Sequence, residues 1–154
     1  QDTMRVQFRR LTEADLPKIM RMNQDFRQGF ADPEATQRFL QNPANWFFAA
    51  LWEETVIGFA YGYALPRLNG SKNMLYLHEV GVAQRYQRQG IGMQMMCALQ
   101  NICAKSNIGK IFLFTDSRNA PANALYRKLG GEVSPSSGGN DTAYFFPIQL
   151  SEIQ

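Results

Sequence analysis

The sequence has few of the residues that mark secreted, metal-binding or membrane-spanning proteins. It holds two cysteines, Cys97 and Cys103, and one histidine, His78. Two cysteines so close together do not make a disulfide framework, so we expect a reducing, cytoplasmic environment. No cluster of His, Cys or carboxylate residues has metal-ligand spacing, and no metal site is predicted. No apolar run approaches the ~20 residues that cross a bilayer, so no membrane partner is expected.

The composition is that of a folded chain with a mild excess of positive charge. Its 154 residues are 45% hydrophobic and 19% charged, which predicts one domain over residues 1–154. The net charge of +3 suits an anionic ligand. The basic residues are scattered apart from the stretch Arg85 to Arg88, and no aromatic residues alternate with them, so nucleic acid is not the expected partner.

Hydrophobic periodicity predicts a mixed order of strands and helices. The predicted strands are Val6 to Phe8, Trp46 to Trp52, Val56 to Leu65, Met74 to Val82, Ile111 to Thr115 and Thr142 to Leu150. The predicted helices run from the Thr12 cap to about Phe26, from Pro33 after the Asp32 cap, from Gly90 to Ser106 and from Ala122 to Leu129. This order predicts the α/β (mixed α+β) class, with a mixed, mostly antiparallel sheet flanked by helices.

The segment Gly90-Ile91-Gly92 lies between a predicted strand and an amphipathic helix. The first N–H groups of a helix have no partner within it, and the helix dipole adds positive charge there. Glycine lets the backbone approach an anion closely, so the segment predicts a pyrophosphate site. A dinucleotide fingerprint would need a third glycine where Met95 stands, and no GK[ST] P-loop sequence occurs.

Two motifs carry a resemblance to a known family. The pattern Gln87-x-x-Gly90-x-Gly92, after Val80-Gly81-Val82, resembles the acetyl-CoA motif of the GNAT superfamily of N-acetyltransferases. Further on, Asn119-x-x-Ala122-x-x-Leu125-Tyr126-x-Lys128-Leu129-Gly130 is similar to the second signature of that superfamily. The resemblance covers about Leu11 to Gly131 and implies a GNAT-like fold with acetyl-CoA as acetyl donor.

The resemblance also implies roles for individual residues. The backbone N–H of Val80 would stabilise the charge that forms on the thioester carbonyl, Val82 would fix the pantetheine amides, and Tyr126 would protonate the departing thiolate. The implied cofactor-binding residues are Val80, Val82, Gln87, Arg88, Gln89, Gly90, Ile91, Gly92, Met93, Asn119 and Tyr126.

A closer resemblance concerns the acceptor. The stretches Tyr63 to Arg67 and Tyr76 to Val82, with Asp116 five residues before Pro121, are similar to the type I aminoglycoside 3-N-acetyltransferases. The resemblance implies transfer to a primary amine of an aminoglycoside, expected at its 3-amino group, by direct attack in a ternary complex. It implies that Glu79 is the general base or the ammonium anchor. The sequence departs from that pattern in the last strand and in the loop Ser134 to Asp141.

A polycationic acceptor needs negative charge near the site. The candidate substrate-binding residues are Asp32, Glu34, Glu79, Asp116 and Asp141. His78 is next to Glu79, and regular strand alternation would point the two side chains to opposite faces unless a bulge intervenes. Cys103 lies on the apolar stripe of its helix and Cys97 has no neighbouring base in sequence, so a covalent cysteine route is not expected.

Two alternatives stay open at this point. One is a GNAT enzyme that acts on another amine, such as a polyamine, an amino acid or a protein lysine. The other is a CoA-binding or nucleic-acid-binding module without catalysis. Phe145 and Phe146 are candidate residues for a homodimer interface.

Overall fold

The fold is organised around one sheet of seven strands, in a computed structural model that describes residues 5–134 and 137–149. The strands are β1 Gln7–Arg10, β2 Asn45–Trp52, β3 Thr55–Leu65, β4 Asn73–Val82, β5 Ile108–Asp116, β6 Glu132–Val133 and β7 Asp141–Pro147. Their order in the sheet is β1-β2-β3-β4-β5-β7-β6. All neighbours are antiparallel except β4 and β5, which are parallel. The predicted mixed, mostly antiparallel sheet is confirmed.

Four α-helices cover the two faces of this sheet. They are α1 Leu16–Asp25, α2 Pro33–Gln41, α3 Ile91–Ala104 and α4 Ala120–Lys128. On one face, α3 and α4 bury a core that includes Leu77, Met95 and Tyr144. On the other face, α1 and α2 bury a second core around Ile19 and Phe59. Because α1 packs on β3 and α2 on β2, these two helices cover only one half of their face.

Side-chain caps set the starts of two helices, and the Asp32 cap is one that the sequence predicts. The Asp32 carboxylate accepts a hydrogen bond from the Ala35 backbone N–H at 2.9 Å, with Pro33 as the first residue of α2. The Asn119 side-chain oxygen accepts one from the Ala122 N–H at 3.1 Å at the start of α4. Such caps are favoured because they satisfy N–H groups that the helix leaves unpaired.

Several predicted bounds are wrong. The strand β5 begins at Ile108, three residues before the predicted start, because the turn is completed at Asn107, whose φ is +57°. The helix α4 begins at Ala120, with Pro121 in its first turn, two residues before the predicted start. The short strand β6 was not predicted. Leu150, the predicted end of the last strand, and residues 135–136 of the loop Ser134 to Asp141 lie outside the described residues.

A β-bulge in the middle of β4 separates it from β5. Tyr61 pairs with Glu79 and Gly62 pairs with Leu77, so His78 is an extra residue without a pairing partner in β3. The parallel pairing of β4 with β5 ends at Leu77 and Leu113, although both strands continue beyond these residues. Of the two alternatives that the sequence left open, the structure has the bulge, which places His78 and Glu79 on the same face of the sheet.

Candidate active site

The gap between β4 and β5 is a cleft of about 270 Å³. Residues 77–80 at the bulge form one wall, residues 113–116 of β5 form the other, and α4 closes the end with Asn119, Ala122 and Tyr126. The structure therefore brings together five residues that the sequence singled out, from positions far apart in the chain: Glu79, Val80, Asp116, Asn119 and Tyr126.

Glu79 holds its carboxylate at the mouth of the cleft, with the side chain 25% exposed. Both of its oxygens accept hydrogen bonds from the Arg27 guanidinium, at 2.7 Å from Nη1 and 3.2 Å from Nη2. Arg27 follows α1 in the joint that leads to α2. No local motif indicates this pair, because its two members lie 52 residues apart.

Tyr126 reaches the cleft from α4 and is almost fully buried. Its ring centroid lies 5.6 Å from that of Tyr144 and 6.0 Å from that of Phe146, so the ring is fixed by packing. Burial raises the pKa of the Tyr126 hydroxyl to about 12, because the phenolate would lose its hydration. The hydroxyl is therefore protonated at neutral pH and is available as a proton donor.

The loop before α3 has the backbone geometry expected of an anion site. Gly90 is the N-cap residue with a φ of +80°, and Arg88 has a φ of +64°. The Gln87 side chain donates a 2.9 Å hydrogen bond to the carbonyl of Val82, which ties the loop to the end of β4. No side chain of the described residues caps α3, in contrast to α2 and α4. Its first N–H groups fit the pyrophosphate of a nucleotide cofactor.

The predicted acidic residues do not form one wall. Asp116 lines the cleft, but Arg118 donates two side-chain hydrogen bonds to it, and this partner lowers the pKa of Asp116 to about 2. Asp141 is exposed and lies opposite Asp116 in the backbone pairing of β5 with β7. Asp32 caps α2 and borders a second cavity of about 200 Å³. Glu34 is exposed in the first turn of α2 and borders neither cavity.

Aromatic rings surround His78 and extend the cleft toward the second cavity. The His78 ring centroid lies 5.7 Å from Tyr61, 6.4 Å from Tyr63 and 6.0 Å from Tyr76. Tyr61 and Tyr63 also border the second cavity, together with Phe30. The sequence carries a signal for these rings, because tyrosines alternate along β3 and recur in β4.

The remaining expectations concern cysteines, metal ions and membranes. Cys103 is buried, and burial raises the pKa of its thiol to about 12, which agrees with the predicted core position. Cys97 is exposed. In the described ranges, no group of three or more His, Cys, Asp or Glu residues could hold a metal ion. None of the helices in those ranges is both long and apolar enough to span a bilayer.

Comparison with known proteins gives a family and several relatives. The model of the acetyltransferase (GNAT) family matches residues 16–131. The N-alpha-acetyltransferase RimI of Mycobacterium tuberculosis is 30% identical over 132 residues, covering 84% of this chain and 80% of RimI. The mycothiol acetyltransferase of Pseudarthrobacter chlorophenolicus is 30% identical over 89 residues, and the match spans 58% of this chain but only 28% of that protein.

A solved structure is similar over most of the chain. It is an aminoglycoside acetyltransferase from an uncultured soil metagenomic sample, in complex with sisomicin, with 25% identity and a TM-score of 0.73. The similarity covers 87% of this chain and 90% of that one. The family match spans both motifs, the cleft and the open N-terminus of α3. The chain therefore belongs to the acetyltransferase (GNAT) family, as an N-acetyltransferase that takes its acetyl group from acetyl-CoA.

Proposed function

We propose that this chain transfers the acetyl group to a primary amine of an aminoglycoside, with the 3-amino group as the expected position. The observation that carries the proposal is that the Glu79 carboxylate and Tyr126 line one cleft. Such a cleft offers an acceptor for the proton of the amine and a donor for the departing sulfur. The similarity to a solved aminoglycoside acetyltransferase supports this choice of acceptor.

The donor side of the site is assigned to the β4–α3 connection. The α3 N-terminus, with residues Gln87 to Met93, would hold the pyrophosphate of acetyl-CoA, and the end of β4 would run along its pantetheine arm. Asn119 lies at the far end of the cleft and is the remaining proposed contact with the cofactor. When bound, acetyl-CoA supplies an acetyl thioester that a neutral amine can attack directly in a ternary complex. The N–H of Val80 is the proposed donor to the carbonyl oxygen, where negative charge develops.

Glu79 is the proposed acceptor of the proton at the amine nitrogen. An ammonium ion has no lone pair for attack, so a carboxylate must take its proton, either directly or through a water molecule. At the opposite end of the reaction, Tyr126 Oη would give a proton to the departing sulfur. At neutral pH this hydroxyl carries its proton, because its pKa is about 12 in the free protein.

Aromatic faces and isolated acids are the proposed contacts for the rest of the acceptor. The tyrosines around His78 present flat surfaces on which sugar rings and their ammonium groups can lie. Asp32 borders the neighbouring cavity and Asp116 the cleft itself. Asp141 and Glu34 are assigned to the outer part of the acceptor path, where they would contribute long-range attraction.

A second candidate acceptor is the N-terminal amine of a protein. It is favoured by the similarity to RimI, which covers most of both chains. A peptide N-terminus carries one cation, whereas an aminoglycoside carries several. The two candidates therefore differ in how strongly ionic strength should weaken acceptor binding.

The test is an acceptor panel with acetyl-CoA, read by release of the free CoA thiol. The panel holds kanamycin, gentamicin, sisomicin, a polyamine and short peptides with free N-termini. We expect the highest kcat/KM with an aminoglycoside, and NMR of the product should locate the acetyl group on the 3-amino nitrogen. Glu79→Gln should abolish most of this turnover, whereas Glu132→Gln, an exposed acid on β6, should not. Turnover of peptides alone would overturn the aminoglycoside proposal.

A further inference from the structure

The carboxylate that is proposed to receive the acceptor amine already has a cation bound to it. Arg27 donates one hydrogen bond to each oxygen of Glu79, at 2.7 and 3.2 Å. This is the two-bond geometry in which an arginine commonly binds a carboxylate. Each carboxylate oxygen of Glu79 therefore already accepts a hydrogen bond from Arg27.

The environment of Arg27 keeps its guanidinium near Glu79 without enclosing it. The guanidinium carbon lies 5.1 Å from the ring centroid of Phe30, which packs edge-on against Phe59 at 5.1 Å. The Arg27 side chain is nevertheless 62% exposed. A long, exposed side chain can rotate into solvent without disturbing the core. Arg27 is thus held by the α1–α2 joint and is also free to leave.

We infer that Arg27 occupies the place of the acceptor ammonium in the free protein and must be exchanged for it when the acceptor binds. This inference rests on the proposed role of Glu79. An acceptor that contacts only Glu79 would gain little binding free energy, because the exchange replaces the Arg27 guanidinium by one ammonium group. An acceptor with several ammonium groups and rings gains additional contacts on the neighbouring aromatic and acidic side chains. Arg27 would therefore lower the affinity for every amine acceptor by the same factor, and an acceptor with several further contacts would still bind.

The expected magnitude follows from the exposure of the pair. Exposed ion pairs contribute roughly 0.2–1 kcal/mol, which corresponds to a change in binding of up to about fivefold. Removing Arg27 should therefore lower the KM for the acceptor by about two- to fivefold. The KM for acetyl-CoA should not change, because the polar contacts of Arg27 are with Glu79, at the acceptor end of the cleft.

The experiment compares Arg27→Gln with Arg21→Gln, an exposed arginine on α1 whose replacement makes the same change in net charge. Steady-state kinetics with kanamycin and calorimetry of kanamycin binding to the CoA complex give KM and Kd. We expect both to fall for Arg27→Gln alone, and the effect of Arg27→Gln to vanish in a Glu79→Gln background. Urea unfolding of each variant should show that the fold is retained.

The outcomes separate this inference from the proposed function. If Glu79→Gln removes activity but Arg27→Gln leaves KM and Kd unchanged or raises them, the exchange is refuted and the role of Glu79 stands. An equal fall in Arg21→Gln would show a general charge effect and would also refute the exchange. If Glu79→Gln retains normal activity, the proposed function itself fails, and this inference fails with it.

Discussion

At the scale of single residues, the site depends on groups whose surroundings differ sharply. Tyr126 is buried among aromatic rings, whereas Glu79 lies at a partly exposed mouth. The buried hydroxyl keeps its proton, and the exposed carboxylate can exchange partners with solvent or with an acceptor. The two proposed proton-transfer roles therefore follow from burial as much as from residue type.

Replacement of Tyr126 by Phe tests the proton-donor role. The substitution removes only the hydroxyl and keeps the packing against Tyr144 and Phe146. We expect kcat to fall roughly 10²- to 10⁴-fold, the usual contribution of a general acid, with little change in the KM of either substrate. Wild-type activity should show no loss from Tyr126 ionisation between pH 7 and 10, because its pKa is about 12.

Stability measurements provide the control for this variant. Phenylalanine is at least as favourable as tyrosine at a buried position without a hydrogen bond, so the free energy of unfolding should be equal or higher. A Tyr126→Phe protein with normal kcat would assign the proton transfer to another group or to water.

At the scale of elements, a buried polar network fixes the position of α4 against the sheet. Asn123 is 8% exposed and donates hydrogen bonds to the carbonyl oxygens of Asp116, at 3.1 Å, and Asn119, at 2.7 Å. Its own side-chain oxygen accepts a 2.6 Å hydrogen bond from the Tyr144 hydroxyl in β7. One side chain thus connects β5, α4 and β7 directly behind Tyr126.

Double-mutant analysis should reveal this network as a coupled unit. Asn123→Leu leaves the Tyr144 hydroxyl unpaired. The carbonyl groups of Asp116 and Asn119 each lose one hydrogen bond but still accept one from a backbone N–H, so the substitution should cost about 1–3 kcal/mol. Tyr144→Phe leaves one amide oxygen unpaired and should cost about 1–2 kcal/mol. Because the variants share a hydrogen bond, the double variant should be about 1 kcal/mol more stable than the sum of the two losses implies. Urea unfolding measures all three, and strict additivity would contradict the network.

At the scale of the whole molecule, a chain of charges ties the N-terminal segment to the rest of the fold. Asp15, which is 4% exposed, accepts two hydrogen bonds from Arg9 of β1 and a third from the Thr12 backbone N–H. Lys18 of α1 bridges Asp15 at 3.3 Å and Glu54 of the β2–β3 turn at 3.1 Å. Three separate elements therefore depend on one buried carboxylate.

Acid unfolding should report on this carboxylate. The hydrogen bonds from Arg9, with support from Thr12 and Lys18, hold the pKa of Asp15 well below its usual range. A carboxyl whose pKa is lowered by folding stabilises the protein above its unfolded pKa of about 3.9, and that contribution is lost as the pH falls further. We expect Asp15→Asn to lower the free energy of unfolding by about 2 kcal/mol at pH 7, and the difference from wild type to shrink below about pH 4.

Glu13→Gln is the matched control, because it changes an exposed carboxylate two residues away. It should leave the free energy of unfolding close to that of the wild type, both at pH 7 and as the pH falls below 4. If the difference in the free energy of unfolding between the wild type and Asp15→Asn stays constant down to pH 2, the assigned pKa shift is contradicted.

The sequence predicts the donor half of the site better than the acceptor half. The phosphate loop and the start of α4 are encoded locally, in glycines and cap residues within a few positions of one another. Their existence was therefore predictable, and only their bounds moved by a few residues. The strand β6 was not predicted, because a strand of two residues is too short to show a hydrophobic periodicity.

The acceptor half depends on contacts between distant parts of the chain. The pairing of Arg27 with Glu79 is created by how the α1–α2 joint lies over β4, and periodicity carries no information on it. The expected wall of acids fails for a different, local reason. In the structure, Asp32 caps α2, as the sequence predicts, and Asp116 pairs with Arg118 two residues away, so neighbours in the sequence occupy both acids.

The bulge at His78 has a consequence for how this enzyme could lose its function while keeping its fold. Without this surplus residue, Leu77, Glu79 and Val80 would alternate normally and β4 could go on pairing with β5 along its whole length. The gap between β4 and β5 would then close, and the cleft proposed to hold the thioester would be replaced by an unbroken ladder of backbone hydrogen bonds. We therefore expect deletion of His78 to stabilise the sheet and to abolish the catalytic activity.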